Sequence, residues 1–308
     1  MEYVLRTFGI TKKYKKKTVL DKVNMNIEKG DIYGFVGENG SGKTTIIRVI
    51  TGLIFQNEGS FELFGVPNTS GDILSARSRV GAIVETPSIY LNMSARNNLK
   101  AQCSILGIND ENKIKWALDE VGLLHLYDEK KHASNFSLGM RQRLGIAMAL
   151  LGEPEFIILD EPMNGLDPAG IVDIRELIIR LNRESGITFL ISSHILTELA
   201  LVATKYGIIS HGKIVKEISA EDLRKECKPS TVIEVGDRSA LISLVNEGFL
   251  STHDVSVLPN GIKITGKCDL NEILSTIIEK GIVITSVICS ESSIEDYYLK
   301  LLGGHHHA

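Results

Sequence analysis

The 308-residue sequence has no run of about 18 apolar residues, so no segment reads as a membrane-spanning helix. It has no excess of positive charge: 34 Lys and Arg stand against 38 Asp and Glu. That balance lacks the basic footprint of a nucleic-acid binder, and no nucleic acid is expected as a partner. Cysteine is scarce. Cys103, Cys227, Cys268 and Cys289 lie far apart with no paired spacing. They read as reduced cytosolic thiols rather than a disulfide framework or a metal site. The opening Met1-Glu2-Tyr3-Val4-Leu5-Arg6 lacks the charged and apolar regions of a signal peptide. No internal repeat of fixed period and no heptad run is visible. The ending Gly303-Gly304-His305-His306-His307 reads as a tag remnant, and residues 303–308 are set aside. The full chain is 43% hydrophobic and 23% charged, which suits one large globular domain plus a small one.

Against these absences stands Gly37-Glu38-Asn39-Gly40-Ser41-Gly42-Lys43-Thr44. It matches G-x-x-x-x-G-K-[ST], the phosphate-binding loop of nucleotide triphosphatases. A triphosphate must be held by many donors at short range. Glycines let the backbone turn its N–H groups inward as an anion nest. A helix starting near Lys43 adds its positive end. Lys43 can reach the β- and γ-phosphates, and the Thr44 hydroxyl can bind Mg²⁺. The flanks agree: Ile32-Tyr33-Gly34-Phe35-Val36 reads as a buried strand, and Ile46, Ile47, Val49 and Ile50 give the next helix an apolar face.

Two further segments carry chemistry. Phe156-Ile157-Ile158-Leu159 reads as a strand buried on both faces of a parallel sheet. Asp160 emerges at its carboxyl end, where open α/β sheets bind ligands, and can hold Mg²⁺ through water. Glu161 is the candidate to polarise an attacking water. In Phe136-Ser137-Leu138-Gly139-Met140-Arg141-Gln142-Arg143, Ser137 and Gly139 precede an apolar helix and form a second potential phosphate site. Ser137 is equally the residue type of an ordinary helix N-cap.

The order and spacing of these three segments resemble the ATP-binding cassette (ABC) ATPases. The family's Leu-Ser-Gly-Gly-Gln keeps its serine as Ser137 and its second glycine as Gly139; Leu138 and Met140 replace the first glycine and the glutamine. Gly165-Leu166-Asp167 resembles the dimer-contact loop. His194, after Thr188-Phe189-Leu190-Ile191, resembles the histidine that contacts the γ-phosphate. Tyr14 resembles the adenine-stacking aromatic. Its neighbours Lys12, Lys13, Lys15, Lys16 and Lys17 read as a solvated hairpin tip or as a membrane-surface or phosphate contribution. Glu85 stands where the family usually carries a glutamine that binds Mg²⁺. That glutamate, Thr86-Pro87-Ser88-Ile89-Tyr90 and the Ser137 segment resemble the ATPases of bacitracin-resistance and lantibiotic-immunity transporters; an ordinary exporter with a Gln-to-Glu change is the alternative.

The resemblance implies an α/β P-loop ATPase domain with a mainly parallel sheet, an antiparallel β-layer and a helical subdomain. It implies ATP and Mg²⁺ as cofactors. Residues 37 to 44, Thr45 and Tyr14 would bind nucleotide, with Ser137 and Gly139 supplied by a second copy in a head-to-tail homodimer. Glu161 and His194 would be catalytic, and Thr44, Glu85 and Asp160 would hold the metal. It also implies a separate transmembrane permease, docked near 85–90, and a peripheral position on the cytoplasmic face of the membrane. The load is then export of a peptide antibiotic, or alternatively of lipid, polysaccharide or another drug. A non-transport ATPase remains the remote alternative.

The domain reading places the ATPase in residues 1–222, with the helical subdomain over about 86–152. Helices are expected over 97–106 and 111–121, with Trp116 packed between them. Tyr206–Ser210 and Lys213–Ile218 flank His211-Gly212 as a hairpin. A linker is expected over 223–230. Residues 231–302 then run βαββαβ, the ferredoxin-like order, before a closing helix over 293–302. This second domain carries no catalytic motif and reads as regulatory, dimer-stabilising or a plain appendage.

Overall fold

The computed structural model describes residues 2–227 and 229–290, together with 297, 298 and 301. In chain order it begins with β1 (Tyr3–Tyr14), β2 (Lys17–Val23), β3 (Asn26–Glu28) and β4 (Ile32–Val36). Helix α1 (Lys43–Ile50), β5 (Glu58–Leu63), β6 (Val66–Pro67), α2 (Ile73–Ser78) and β7 (Val80–Ile83) follow. Then come α3 (Ala95–Leu106), α4 (Glu111–Glu120) and α5 (Leu138–Leu150). The first unit closes with β8 (Phe156–Asp160), α6 (Pro168–Ser185), β9 (Thr188–Ser193), α7 (Leu196–Ala200), β10 (Lys205–Ser210) and β11 (Lys213–Ser219).

Six strands form the central sheet in the order β11-β10-β4-β9-β8-β7, parallel throughout except for the edge hairpin β10–β11. Strands β4, β8 and β9 are buried at every residue, as continuous apolar runs in a sheet covered on both faces should be. A second, antiparallel layer runs β2-β1-β5-β6, with β3 also paired to β1. Helix α1 lies between the layers. Its Ile46, Ile47, Val49 and Ile50 share one core with Leu5, Ile10, Leu20 and Phe61 of the antiparallel layer and Phe35, Ile158 and Leu190 of the parallel sheet. Each such side chain contributes roughly 1.5–3 kcal/mol by burial, so the helix bearing Lys43 and Thr44 is fixed on both sides.

Helices α3, α4 and α5 form the helical segment. Helix α3 starts at Ala95, two residues before the expected Asn97, because Ser94 caps it by accepting the Asn97 N–H. Trp116 does not pack inside: it is 40% exposed. The buried stripe of α4 is Ile114, Ala117 and Leu118, continued by Val121, and Trp116 sits two residues off that stripe. Helices α3 and α4 are tied by Glu111, which accepts from the Arg96 guanidinium (3.0 Å) and the Tyr127 hydroxyl (2.9 Å).

Contacts divide the chain between Ala220 and Glu221. Where the linker over 223–230 is expected, helix α8 (Ala220–Glu226) occupies its first half. Glu221 and Asp222 lie in its first turn and Arg224 and Lys225 in its last, matching the helix dipole. The second unit continues with β12 (Ser230–Val235), α9 (Arg238–Asn246), β13 (Asp254–Leu258), β14 (Gly261–Thr265), α10 (Leu270–Glu279) and β15 (Ile284–Ser290). Its sheet order, β13-β14-β12-β15, is antiparallel throughout, the ferredoxin-like arrangement. Leu241, Leu244, Ile273 and Ile277 of the two helices cover Ile233, Val235, Ile262 and Ile264 of the sheet. The closing helix over 293–302 falls mostly outside the described residues, although Tyr297, Tyr298 and Leu301 are helical. The tail 303–308 lies outside them as well.

The Arg96 guanidinium, followed by the Tyr127 hydroxyl, holds the Glu111 carboxyl down to about 2 from 4.5. A depressed carboxyl stabilises the fold above its unfolded value and loses that contribution as pH falls through its folded value. Glu111→Gln is therefore expected to lower the urea midpoint at pH 7. The gap from the wild-type midpoint should narrow between pH 4.5 and about 2. A gap independent of pH would show that the ion pair is not its source.

Candidate active site

The loop after β4 needs its glycines for two different reasons. A Cβ on Gly37 would come 2.5 Å from the Ile209 carbonyl oxygen, so the backbone leaves no room there. Gly40 (φ +81°) and Gly42 (φ +116°) take left-handed conformations that turn the chain into α1. Gly42, as N-cap, offers no side chain to the first helical turn, so its N–H groups stay open to an anion. Glu38, Asn39 and Gly40 are exposed, and Thr45 is half-buried on the first turn. Lys43 is only 5% exposed. It folds back so that Nζ donates to the carbonyls of Gly37 (2.7 Å) and Glu38 (3.3 Å). The buried Ser41 hydroxyl has no partner.

Asp160, at the carboxyl end of β8, is 1% exposed. A buried carboxylate must be satisfied. One oxygen accepts from the Thr44 hydroxyl of α1 (2.8 Å) and the other from Ser192 of the neighbouring β9 (2.5 Å). Ser192 also accepts the Glu161 N–H (2.9 Å), so a single hydroxyl orients both acidic residues. Glu161 is left-handed (φ +52°), which turns its side chain away from the strand direction. Its carboxylate spans two partners, Lys43 Nζ at 3.2 Å and His194 Nδ1 at 2.7 Å. His194 sits on the turn between β9 and α7. That turn is held by Ser193, which donates to Glu198 (3.2 Å) and accepts the Ile195 N–H (3.0 Å).

Glu85 does not join this cluster. Its carboxylate lies 2.5 Å from Nη2 of Arg48 on α1. Tyr14 ends β1, is partly exposed, and stacks under the Lys12 ammonium at 5.1 Å. The strand after it, β2, touches the loop: Leu20 Cδ2 lies 2.8 Å from where a Gly42 Cβ would stand. Ser137 caps α5, its hydroxyl accepting the Met140 N–H at 3.2 Å. It keeps its own proton to donate. Among the described residues, no hydrogen bond or ion pair joins Ser137 or Gly139 to residues 37–44. Leu138 lies against Gly165 and Leu166 against Gly139, so the segments 137–139 and 165–167 interleave. Asp167 caps α6 by accepting the Gly170 N–H.

The ABC transporter family model matches residues 20–164. The bacitracin transport ATP-binding protein BcrA of Bacillus licheniformis is 42% identical over 309 residues, covering 99% of each chain. The chain belongs to the ATP-binding subunits of ABC transporters. The lantibiotic transport ATP-binding protein SrtF of Streptococcus pyogenes is 43% identical over 70% of this chain and 90% of its own. Among solved structures, a nucleotide-free ATP-binding cassette from an ABC transporter superposes with a TM-score of 0.65 at 29% identity, over 73% of this chain and 94% of that one. ATP hydrolysis is the activity of this family.

In this ABC subunit the residues fit a triphosphate and a hard cation. The orphaned Ser41 hydroxyl and the cupped Lys43 supply donors, while Thr44 and Asp160 pair two oxygen ligands. No cluster of three or more His, Cys, Asp or Glu suited to a metal occurs among the described residues, so Thr44–Asp160 is the donor set at hand. Ser192 is a member of the site that sequence reasoning missed, and Arg48, which holds Glu85 outside the cluster, is another residue it did not single out. For Ser192 a signal existed: a polar Ser192-Ser193 pair closing an otherwise apolar strand. Removing the Ser192 hydroxyl leaves Asp160 short of a donor. Ser192→Ala is expected to cost about 1–3 kcal/mol in denaturant unfolding and to lower ATP turnover more than nucleotide affinity. Unchanged stability and turnover would remove Ser192 from the site.

Proposed function

We propose that this ATP-binding subunit powers export of a peptide antibiotic of the bacitracin or lantibiotic type through a separate membrane permease. The observation that carries the cargo reading is the length of the similarity to BcrA, which runs through the ferredoxin-like unit as well as the ATPase. The loop N–H groups and Lys43 bind the phosphates of ATP. Thr44 and Asp160 hold Mg²⁺, which when bound offsets the charge of the β- and γ-phosphates. Glu161 accepts a proton from the attacking water, and His194 keeps that carboxylate aimed while contacting the γ-phosphate. Tyr14 stacks on the adenine.

A second copy, related by a two-fold axis, presents Ser137 and Gly139 to each nucleotide, with Gly165, Leu166 and Asp167 at the contact. ATP then favours the closed pair because only that state makes both sets of contacts. A groove of about 410 Å³, lined by Thr86, Pro87, Ser88, Gln102, Leu106 and Met148, opens beside the edge strand β7. It receives the permease's cytoplasmic helix. No helix among the described residues is long and apolar enough to cross a membrane, and the subunit works at the cytoplasmic face through that docking. The ferredoxin-like unit regulates or steadies the dimer.

The test is peptide-antibiotic susceptibility in the native host after deletion of this chain. Wild type should restore resistance to bacitracin or a lantibiotic. Glu161→Gln should bind ATP and fail to restore it, and Lys43→Ala should lose nucleotide affinity. An unchanged panel would move the cargo to lipid, polysaccharide or another drug, while wild-type turnover by Glu161→Gln would overturn the assignment of the base.

A further inference from the structure

We propose that Arg48 is a positioning residue that holds the Glu85 carboxylate away from the cation site at Thr44 and Asp160, and so sets how much Mg²⁺ the nucleotide requires. The inference rests on the reading of Thr44 and Asp160 as that site. Strands β7 and β8 are parallel with Ile83 opposite Leu159. The pairing ends at Ile83, and Glu85 follows two residues beyond it, on the same carboxyl side of the sheet where β8 ends at Asp160. The two glutamates share an uncommon backbone: φ is +64° at Glu85 and +52° at Glu161. Left-handed backbone at a non-glycine residue costs energy and persists only where surrounding contacts enforce it.

Each glutamate is held by a cation from α1. Lys43 takes Glu161 at 3.2 Å, and Arg48 takes Glu85 at 2.5 Å. The same helix carries Thr44, whose hydroxyl meets Asp160. One helix therefore supplies a cation ligand, a phosphate-binding lysine and a clamp on the only one of the three proposed metal-binding residues that stands apart. The clamp adds little to stability. Its side chains are 39% and 58% exposed, and ion pairs so solvated contribute little to folding. Its effect is on where the carboxylate points. An amide at this position would be neutral and could approach a triphosphate freely. A carboxylate brings a charge that attracts Mg²⁺ and repels phosphate, so its approach has to be controlled. Arg48 provides that control.

Arg48→Met frees Glu85 to add an anionic oxygen to the cation site. In equilibrium binding of a fluorescent non-hydrolysable ATP analogue, the half-saturating Mg²⁺ concentration is expected to fall by roughly threefold to tenfold. Arg48→Lys should keep the wild-type value. The shift should vanish when Arg48→Met is combined with Glu85→Gln, compared against Glu85→Gln alone. Arg48 also sits in the last turn of α1, where a cation favours the helix dipole, so urea midpoints accompany every variant. Arg48→Gln replaces Arg48→Met if the latter does not fold. A Mg²⁺ requirement that stays unchanged or rises, or a shift that persists without Glu85, overturns the proposal. Thr44→Ala separates the two assignments. If it leaves the Mg²⁺ dependence intact, the cation site itself is wrong; if it abolishes the dependence while Arg48→Met does nothing, only the clamp is wrong.

Discussion

Asp160 is a carboxylate buried almost completely, and the chain is organised around satisfying it. Two hydroxyls do so, from elements far apart in sequence: Thr44 on α1 and Ser192 on β9. A buried charge without such partners would cost several kcal/mol. The arrangement therefore ties the phosphate loop, the strand that carries Glu161 and the strand that leads to His194 into one unit. Ser192 extends the tie by accepting the Glu161 N–H, and Glu161 in turn joins Lys43 to His194. Thr44, Lys43, Glu161, Ser192 and His194 are thus linked through contacts centred on one carboxylate.

The sheet makes this possible. Parallel strands β4, β9, β8 and β7 all end at the same side, so the loop, Ser192, Asp160 and Glu85 emerge together. Burial on both faces keeps the strand ends in register, and α1 is held between the sheet and the antiparallel layer. The edge position of β7 leaves a groove beside Thr86, Pro87 and Ser88, immediately after Glu85. Glu85, the residue immediately before the groove segment, is anchored through its side chain to Arg48 of α1. Arg48 lies on the same helix as Lys43 and Thr44, so this ion pair joins that helix to the segment that leads into the groove.

The segments 137–139 and 165–167 belong to a different surface. They contact each other through Leu138 and Gly165, and through Leu166 and Gly139, rather than the phosphate loop of their own chain. Leucine at position 138 fills the space above Gly165. Ser137 is spent as a helix cap only in its lone pair; its proton remains available.

Much of this was legible in the residues. The phosphate loop declares itself because backbone turns with left-handed φ and close approach require glycine at particular spacings. The buried strands declare themselves because an interior parallel strand must be apolar throughout. The βαββαβ order of the second unit follows from alternating periodicities. Local pattern failed where the deciding contact lay elsewhere in the chain. Trp116 looked like a core residue until the stripe Ile114, Ala117 and Leu118 took the inward face of α4. The expected linker gave way to α8, whose charge order suits a helix dipole. The sequence by itself determined which residue types were present to bind phosphate, cation and water, since those chemistries dictate composition at short range. Only the tertiary structure decided that Ser192 orients both acidic residues and that Glu85 is held by Arg48. Those choices depend on strand register and helix position, which bring together groups that no local spacing connects.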